Sequence, residues 1–381
     1  MFRQPKKHAA STSSKGRAVT PPTPPIGVEY LTFTAEQANS TTVMISTLET
    51  APNLEYSTDG GETWNTWNHT TSEGVHTFDT ITLGSVGDEV KLRGVNPNGF
   101  LDIQNEIMSL FSMTGKIAAS GNIQTIVDGD NPTLTAKTMP FFNDSFLTEE
   151  PSDVLTAAPS LPATTLAECC YNGMFDGCTG LTAAPSLPAT TLAEGCYSDM
   201  FAGCTVLTAA PALPATTLAM DCYAGMFNGC TSLTAAPALP ATTLAIYCYA
   251  GMFNGCTSLT AAPALPATTL AEGCYNGMFA GCTGLTAAPA LPATTLAIYC
   301  YNGMFAGCTG LTAAPALPAT TLAEGCYSDM FAGCTFDMSD DGTTLNFQCD
   351  ATLPQTVVFD TFSVPYDLAS WMGNTNGFTE P

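Results

Sequence analysis

Leu259-Thr-Ala-Ala-Pro-Ala-Leu-Pro-Ala-Thr-Thr-Leu-Ala-Glu-Gly-Cys-Tyr-Asn-Gly-Met-Phe-Ala-Gly-Cys-Thr-Gly284 is one of seven nearly identical units in this chain. They begin at Leu155, Leu181, Leu207, Leu233, Leu259, Leu285 and Leu311, always 26 residues apart. One copy has too little apolar surface to hold itself folded, so a fixed period of this length predicts copies stacked side by side in a solenoid. Each copy divides in two. Its first half, as in Leu181-Thr-Ala-Ala-Pro185, is extended, and Pro185 and Pro188 exclude a helix there. In four copies the second half opens with Thr-Leu-Ala-Glu, at Thr165–Glu168, Thr191–Glu194, Thr269–Glu272 and Thr321–Glu324. That is the pattern of a helix capping box. Leu192, Cys196 and Met200 then fall at i, i+4 and i+8 on one apolar helical face, and Gly203 suits the left-handed residue past its end. The expected fold is therefore a solenoid whose units each pair an extended segment with a helical turn or two.

The string Met278-Phe279-Ala-Gly281-Cys282-Thr-Gly-Leu285 resembles the Ala-Phe-x-Gly-Cys-x-x-Leu signature of the BspA-like (treponemal-class) leucine-rich repeats. The resemblance covers roughly half the chain. The period is longer than is usual in that family, Met replaces Ala, and the Asn of ordinary leucine-rich repeats is missing. Members of the family look like bacterial surface adhesins, and similar arrays occur in phages of gut bacteria. The resemblance thus implies an α/β solenoid of leucine-rich-repeat type, and binding rather than chemistry.

Charge narrows the function classes. The formal net charge is -24, and five of the nine Lys and Arg residues (Arg3, Lys6, Lys7, Lys15, Arg17) lie in the first 17 positions. After Lys137 there are 19 Asp and Glu and no base, so the repeats cannot neutralise phosphates and nucleic-acid binding by the array is excluded. Residues 1–26 form a basic arm ending in Pro-Pro-Thr-Pro-Pro, a stiff extended composition. It suits anchoring to other virion proteins or to an acidic protein surface. The arm has no apolar signal-peptide core and no stretch of the chain is long and apolar enough to span a bilayer, which favours a virion protein made in the host cytoplasm over a bacterial cell-surface protein.

Fourteen of the 16 cysteines occupy two positions of the repeat, as in Cys196 and Cys204; Cys169 and Cys349 are the exceptions. Their spacing of eight residues is about 12 Å of rise in a helix, beyond disulfide reach. Zinc-type spacing is missing and the repeats contain no His. These residues read as two buried columns of reduced thiols.

Residues 27–113 carry short alternating runs of Thr, Val, Tyr, Trp and Phe. Candidate strands are Glu29–Thr34, Thr42–Thr47, Leu54–Ser57, Thr63–Trp67, Val75–Phe78 and Glu89–Val95, which read as an immunoglobulin-like β-sandwich. Ser57-x-Asp59-x-Gly61-x-x-Trp64 matches the Asp-box pattern, a structural hairpin whose carboxylate ties down turn amides over a packed Trp. His69 and His76 read as surface residues, and Asp128, Asp130 and Asn131 as a turn rather than a calcium loop. Residues 114–154 read as a transition and N-terminal cap, 155–335 as the solenoid and 336–381 as a C-terminal cap rich in large apolar side chains, among them Phe347 and Trp371.

Copy-to-copy variation is concentrated in the second half of the repeat, where Glu-Gly gives way to Met220-Asp221, Ile246-Tyr247 and Ile298-Tyr299. Tyr247, Tyr249, Tyr299 and Tyr301 are the candidate contacts for a partner or another subunit, with burial against the next repeat as the competing reading. The nearly invariant Thr, Ala and Pro half suits a repeating polymer such as a host glycan, or a smooth spacer. No catalytic set, metal cluster or cofactor motif is present in the sequence, so an enzyme is not expected. Two expectations result: a non-enzymatic phage virion accessory protein (head fibre, capsid decoration or tail-associated adhesin), or a BspA-like bacterial surface adhesin.

Overall fold

A computed structural model describes residues 27–102, 107–142, 152–312 and 314–334. The basic arm and the C-terminal cap lie outside the described residues. Burial alternates along the longer strands. In β2 (Ser40–Ser46) every second side chain is buried, and β8 (Glu89–Gly94) repeats that pattern. The other strands are β1 (Leu31–Ala35), β3 (Leu54–Ser57), β4 (Asn65–Thr66), β5 (His69–Ser72), β6 (Val75–Phe78), β7 (Ile81–Leu83), β9 (Leu101–Asp102), β10 (Ile107–Thr114), β11 (Ile117–Ser120) and β12 (Leu155–Ala157). They form two six-stranded sheets, one ordered β12-β11-β1-β8-β3-β4 and the other β5-β6-β2-β10-β9 with β7 also on β2. Phe33 of the first sheet meets Phe111 of the second edge to face at 5.0 Å, and Phe142 packs on both, at 6.0 and 5.3 Å.

The α/β leucine-rich-repeat solenoid behind an immunoglobulin-like sandwich, expected from the sequence, is not what the structure shows. Its regular elements are nearly all β. The helix described, α1 (Thr125–Asp128), has four residues and lies outside the repeats. An array of the expected kind would carry a helix in each copy. The first sheet ends in β12, which belongs to the first repeat and runs parallel to β11.

The second half of each repeat is a chain of reverse turns, and the reason is backbone handedness. In the first copy φ is positive at Cys169, Gly173 and Gly177, and in the second at Gly195, Asp199 and Gly203, every fourth residue. A right-handed helix cannot pass through such residues, whereas a reverse turn accommodates one at its third position. The amides alternate accordingly. Cys170, Asn172, Met174, Asp176 and Cys178 donate three residues back within their own copy, for example Cys170 N to Ala167 O at 3.3 Å. Cys169, Tyr171, Gly173, Phe175 and Gly177 donate to the next copy, for example Tyr171 N to Cys196 O at 2.9 Å. Isolated bridges join the extended halves, as Ala209 to Ala235, and the first residues of the second halves, as Thr191 to Thr217.

Repetition of this bonding aligns the side chains. Tyr171, Tyr197, Tyr223, Tyr249, Tyr275, Tyr301 and Tyr327 form a stack with centroids 5.7–5.8 Å apart and ring planes within 12°. A second stack runs from Phe175 to Phe331 at 5.6–5.7 Å. Both lie in the favourable range for offset aromatic pairs. Phe142 joins the Phe stack at 5.3 Å, so one continuous core runs from the sheets through the repeats. Phe253 sits fully buried near the middle of that stack. Phe253→Ala should cost about 3–5 kcal/mol of unfolding free energy in a urea titration, as expected for a large cavity in a core with no slack.

Candidate interaction surface

Candidate contact residues divide according to their place in the turns. Tyr249 and Tyr301 belong to the Tyr stack and are 1% exposed, so no partner can reach them. Tyr247 and Tyr299 occupy a left-handed position, with φ of 51° and 52°, and face outward. Tyr247 is half-buried and Tyr299 reaches 36% exposure. Beside them Met220, Ile246 and Ile298 are exposed at 37–42%, on a ridge shared with Glu168, Glu194, Glu272 and Glu324. Along the ridge the order is Glu168, Glu194, Met220, Ile246, Glu272, Ile298, Glu324, so acidic and apolar positions are mixed.

A second surface is made by the Thr, Ala and Pro halves. In the third copy Thr208, Ala209, Ala212, Pro214, Thr216 and Thr217 are exposed. Threonine hydroxyls bind the carbonyl of the equivalent Thr one copy earlier, as in Thr234 to Thr208 at 3.3 Å and Thr257 to Thr231 at 3.4 Å. Rows of identical small groups result. A shallow apolar groove lies between adjacent copies, lined by Ala210, Pro211, Leu213, Pro214, Pro237 and Pro240.

Within the sheets, Ser57, Asp59 and Thr63 form the closed turn that the Asp-box spacing predicts. Ser57 Oγ donates to Asp59 Oδ1 at 2.6 Å, and Asp59 Oδ1 accepts the Thr63 amide at 2.9 Å. These bonds hold the Asp59 carboxyl far below the usual range. Trp64 packs against Tyr30 at 4.7 Å and beneath the Arg93 guanidinium at 4.2 Å. Arg93 is also bound by Glu55 at 2.7 Å and by Asp130 at 2.8 Å, and Asp130 accepts the Tyr30 hydroxyl. This cluster, which the sequence reading missed, joins residues up to 100 positions apart and fixes the loop after α1 to the sheet. Asp128 Oδ2 accepts from the Thr133 amide and hydroxyl, which leaves the acidic stretch a turn. His76 is buried, not on the surface; its ring nitrogens meet the Thr71 hydroxyl and the Leu48 carbonyl. Among the described residues no group of three or more His, Cys, Asp or Glu could hold a metal ion, and no helix is long and apolar enough to cross a membrane.

All described cysteines are free. In one column the thiol has a defined partner: Cys204, Cys230, Cys256, Cys282, Cys308 and Cys334 donate to a Phe carbonyl of the preceding copy at 3.0–3.2 Å. Loss of water contact raises the thiols, Cys222, Cys274 and Cys300 to about 12, and Cys169, near Glu168 and Glu194, to about 11. No family model matches this chain, and neither does any curated protein or solved structure.

Two measurements follow from these shifts. A thiol reagent at mildly alkaline pH should label the folded protein slowly and the urea-unfolded protein completely, since thiolate is the reacting form. Packing of the copies first, and the Asp199 charge second, raise the Asp176 carboxyl to about 6. A raised acid binds its proton more tightly when folded, so its stabilising contribution is full below the ordinary carboxylate value and disappears as pH climbs through about 6. The gain in melting temperature between about pH 7 and pH 5 should therefore be smaller in Asp176→Asn than in the unaltered protein.

Proposed function

We propose that this protein is a non-enzymatic accessory component of a bacteriophage virion: a head fibre, capsid decoration or tail-associated adhesin. Its N-terminal part anchors it, and the stacked repeats are presented to a host surface. One observation carries the reading: the array's in-register rows of small Thr, Ala and Pro side chains, without a Lys or Arg, over a core committed to holding copies together. Such a surface offers the same hydroxyls and apolar edges at each step, which complements a polymer that itself repeats. A glycan chain meets that description, and affinity then grows with the number of units engaged. The resemblance to BspA-like repeats supports attachment rather than chemistry. The basic arm, with Arg3, Lys6, Lys7, Lys15 and Arg17 and no acid, supports anchoring to an acidic capsid or tail protein.

Mass spectrometry of gradient-purified particles from lysed producer cells tests the assignment. The protein should copurify with capsid or tail proteins at a fixed ratio, and antibodies to the repeats should decorate intact particles. Recovery in the bacterial envelope, with none in particles, would overturn it in favour of a cell-surface adhesin.

A further inference from the structure

The left-handed positions carry a relation between neighbouring copies. One column runs Cys169, Gly195, Asp221, Tyr247, Gly273, Tyr299 and Gly325, all with φ between 51° and 59°. A side chain in such a position leans onto the copy that follows. A β-carbon on Gly273 would overlap the ring of Tyr247, and one on Gly325 the ring of Tyr299. Gly195 similarly lies beneath Cys169, whose sulfur would stand 2.9 Å from a β-carbon there. In the next left-handed column a β-carbon on Gly225 would overlap the Asp199 carboxylate. Gly251, Gly277 and Gly303 each follow a glycine in that column, and a β-carbon on any of them would meet nothing within 4 Å. The Tyr hydroxyls add a second point of attachment, Tyr247 to Glu272 Oε1 at 3.4 Å and Tyr299 to Glu324 Oε1 at 3.5 Å.

We propose that the Ile-Tyr and Glu-Gly copies are matched pairs, and that each Tyr is a key specifying which copy stacks behind it. An array of near-identical copies has a register problem. Displacement by one whole copy leaves the Tyr, Phe and Cys columns intact, so the core alone cannot tell the right neighbour from the wrong one. The surface Tyr can, because its ring fits over glycine and not over a second Tyr.

Two deletions of equal length test this. Removing residues 233–258 places Asp221 ahead of Gly273, while removing residues 259–284 places Tyr247 ahead of Tyr299; both preserve the repeat phase and the core columns. The second variant should melt lower than the first by about 4 °C or more. Adding Tyr247→Gly should raise the melting of that shortened chain more than it raises that of the full chain. In the full chain, Gly273→Ala should melt below Gly277→Ala, although their φ values, 58° and 59°, make the backbone cost the same. Equal melting of the two deletions, or of the two alanine variants, would overturn the proposal.

Discussion

The division of labour between successive backbone amides is the constraint on which the rest of this structure depends. In the second half of each repeat one N-H closes a turn inside its own copy, and the next crosses to the following copy. A buried amide without an acceptor is costly, so the pattern binds neighbouring copies as firmly as each binds itself. It also requires a left-handed residue at every fourth position, which explains why Gly177, Gly203, Gly229, Gly255, Gly281, Gly307 and Gly333 stand in one invariant column. Once the backbone is fixed in this way, side chains two residues apart point alternately inward and outward. The Tyr, Met, Phe and Cys columns are the inward set.

The array needs a first template, and the sheets provide it. β11 lies between β1 and β12, so the first repeat is hydrogen-bonded to a strand of the N-terminal sheet. Phe142 then passes the core from the Phe33 and Phe111 pair to the Phe stack. Phe141 lies against Gly173, as the keys of later copies lie against their glycines. The proposed function uses this continuity, since a load on the displayed repeats passes directly into the anchored sheets.

Legibility in the sequence followed the range of the interactions involved. Leu54–Ser57 and Val75–Phe78 were readable to the residue because alternation and flanking turn residues are local signals. The Ser57 and Asp59 turn was readable for the same reason. β5 was not, since His69–Ser72 is exposed along its whole length and has no apolar face to announce it. The helix expected in each repeat failed instructively. Thr-Leu-Ala-Glu has the composition of a capping box, and Leu192, Cys196 and Met200 have helical spacing, but a four-residue turn period also places them together. Glycine at the same four-residue phase was the signal against a helix. The contact candidates divided for a related reason: Tyr247 and Tyr249 differ by two positions, which in this backbone separates the surface from the core. The Arg93 cluster was invisible because its members come from distant parts of the chain.

Hydrogen-bond scalar couplings measured by NMR test the central claim most directly. The account predicts a coupling from the Tyr249 amide nitrogen to the Cys274 carbonyl carbon, and one from the Cys248 nitrogen to Ala245, matching bonds of 3.0 and 3.3 Å. A coupling from Tyr249 to Ala245, the i−4 partner of an α-helix, with none to Cys274, would contradict it.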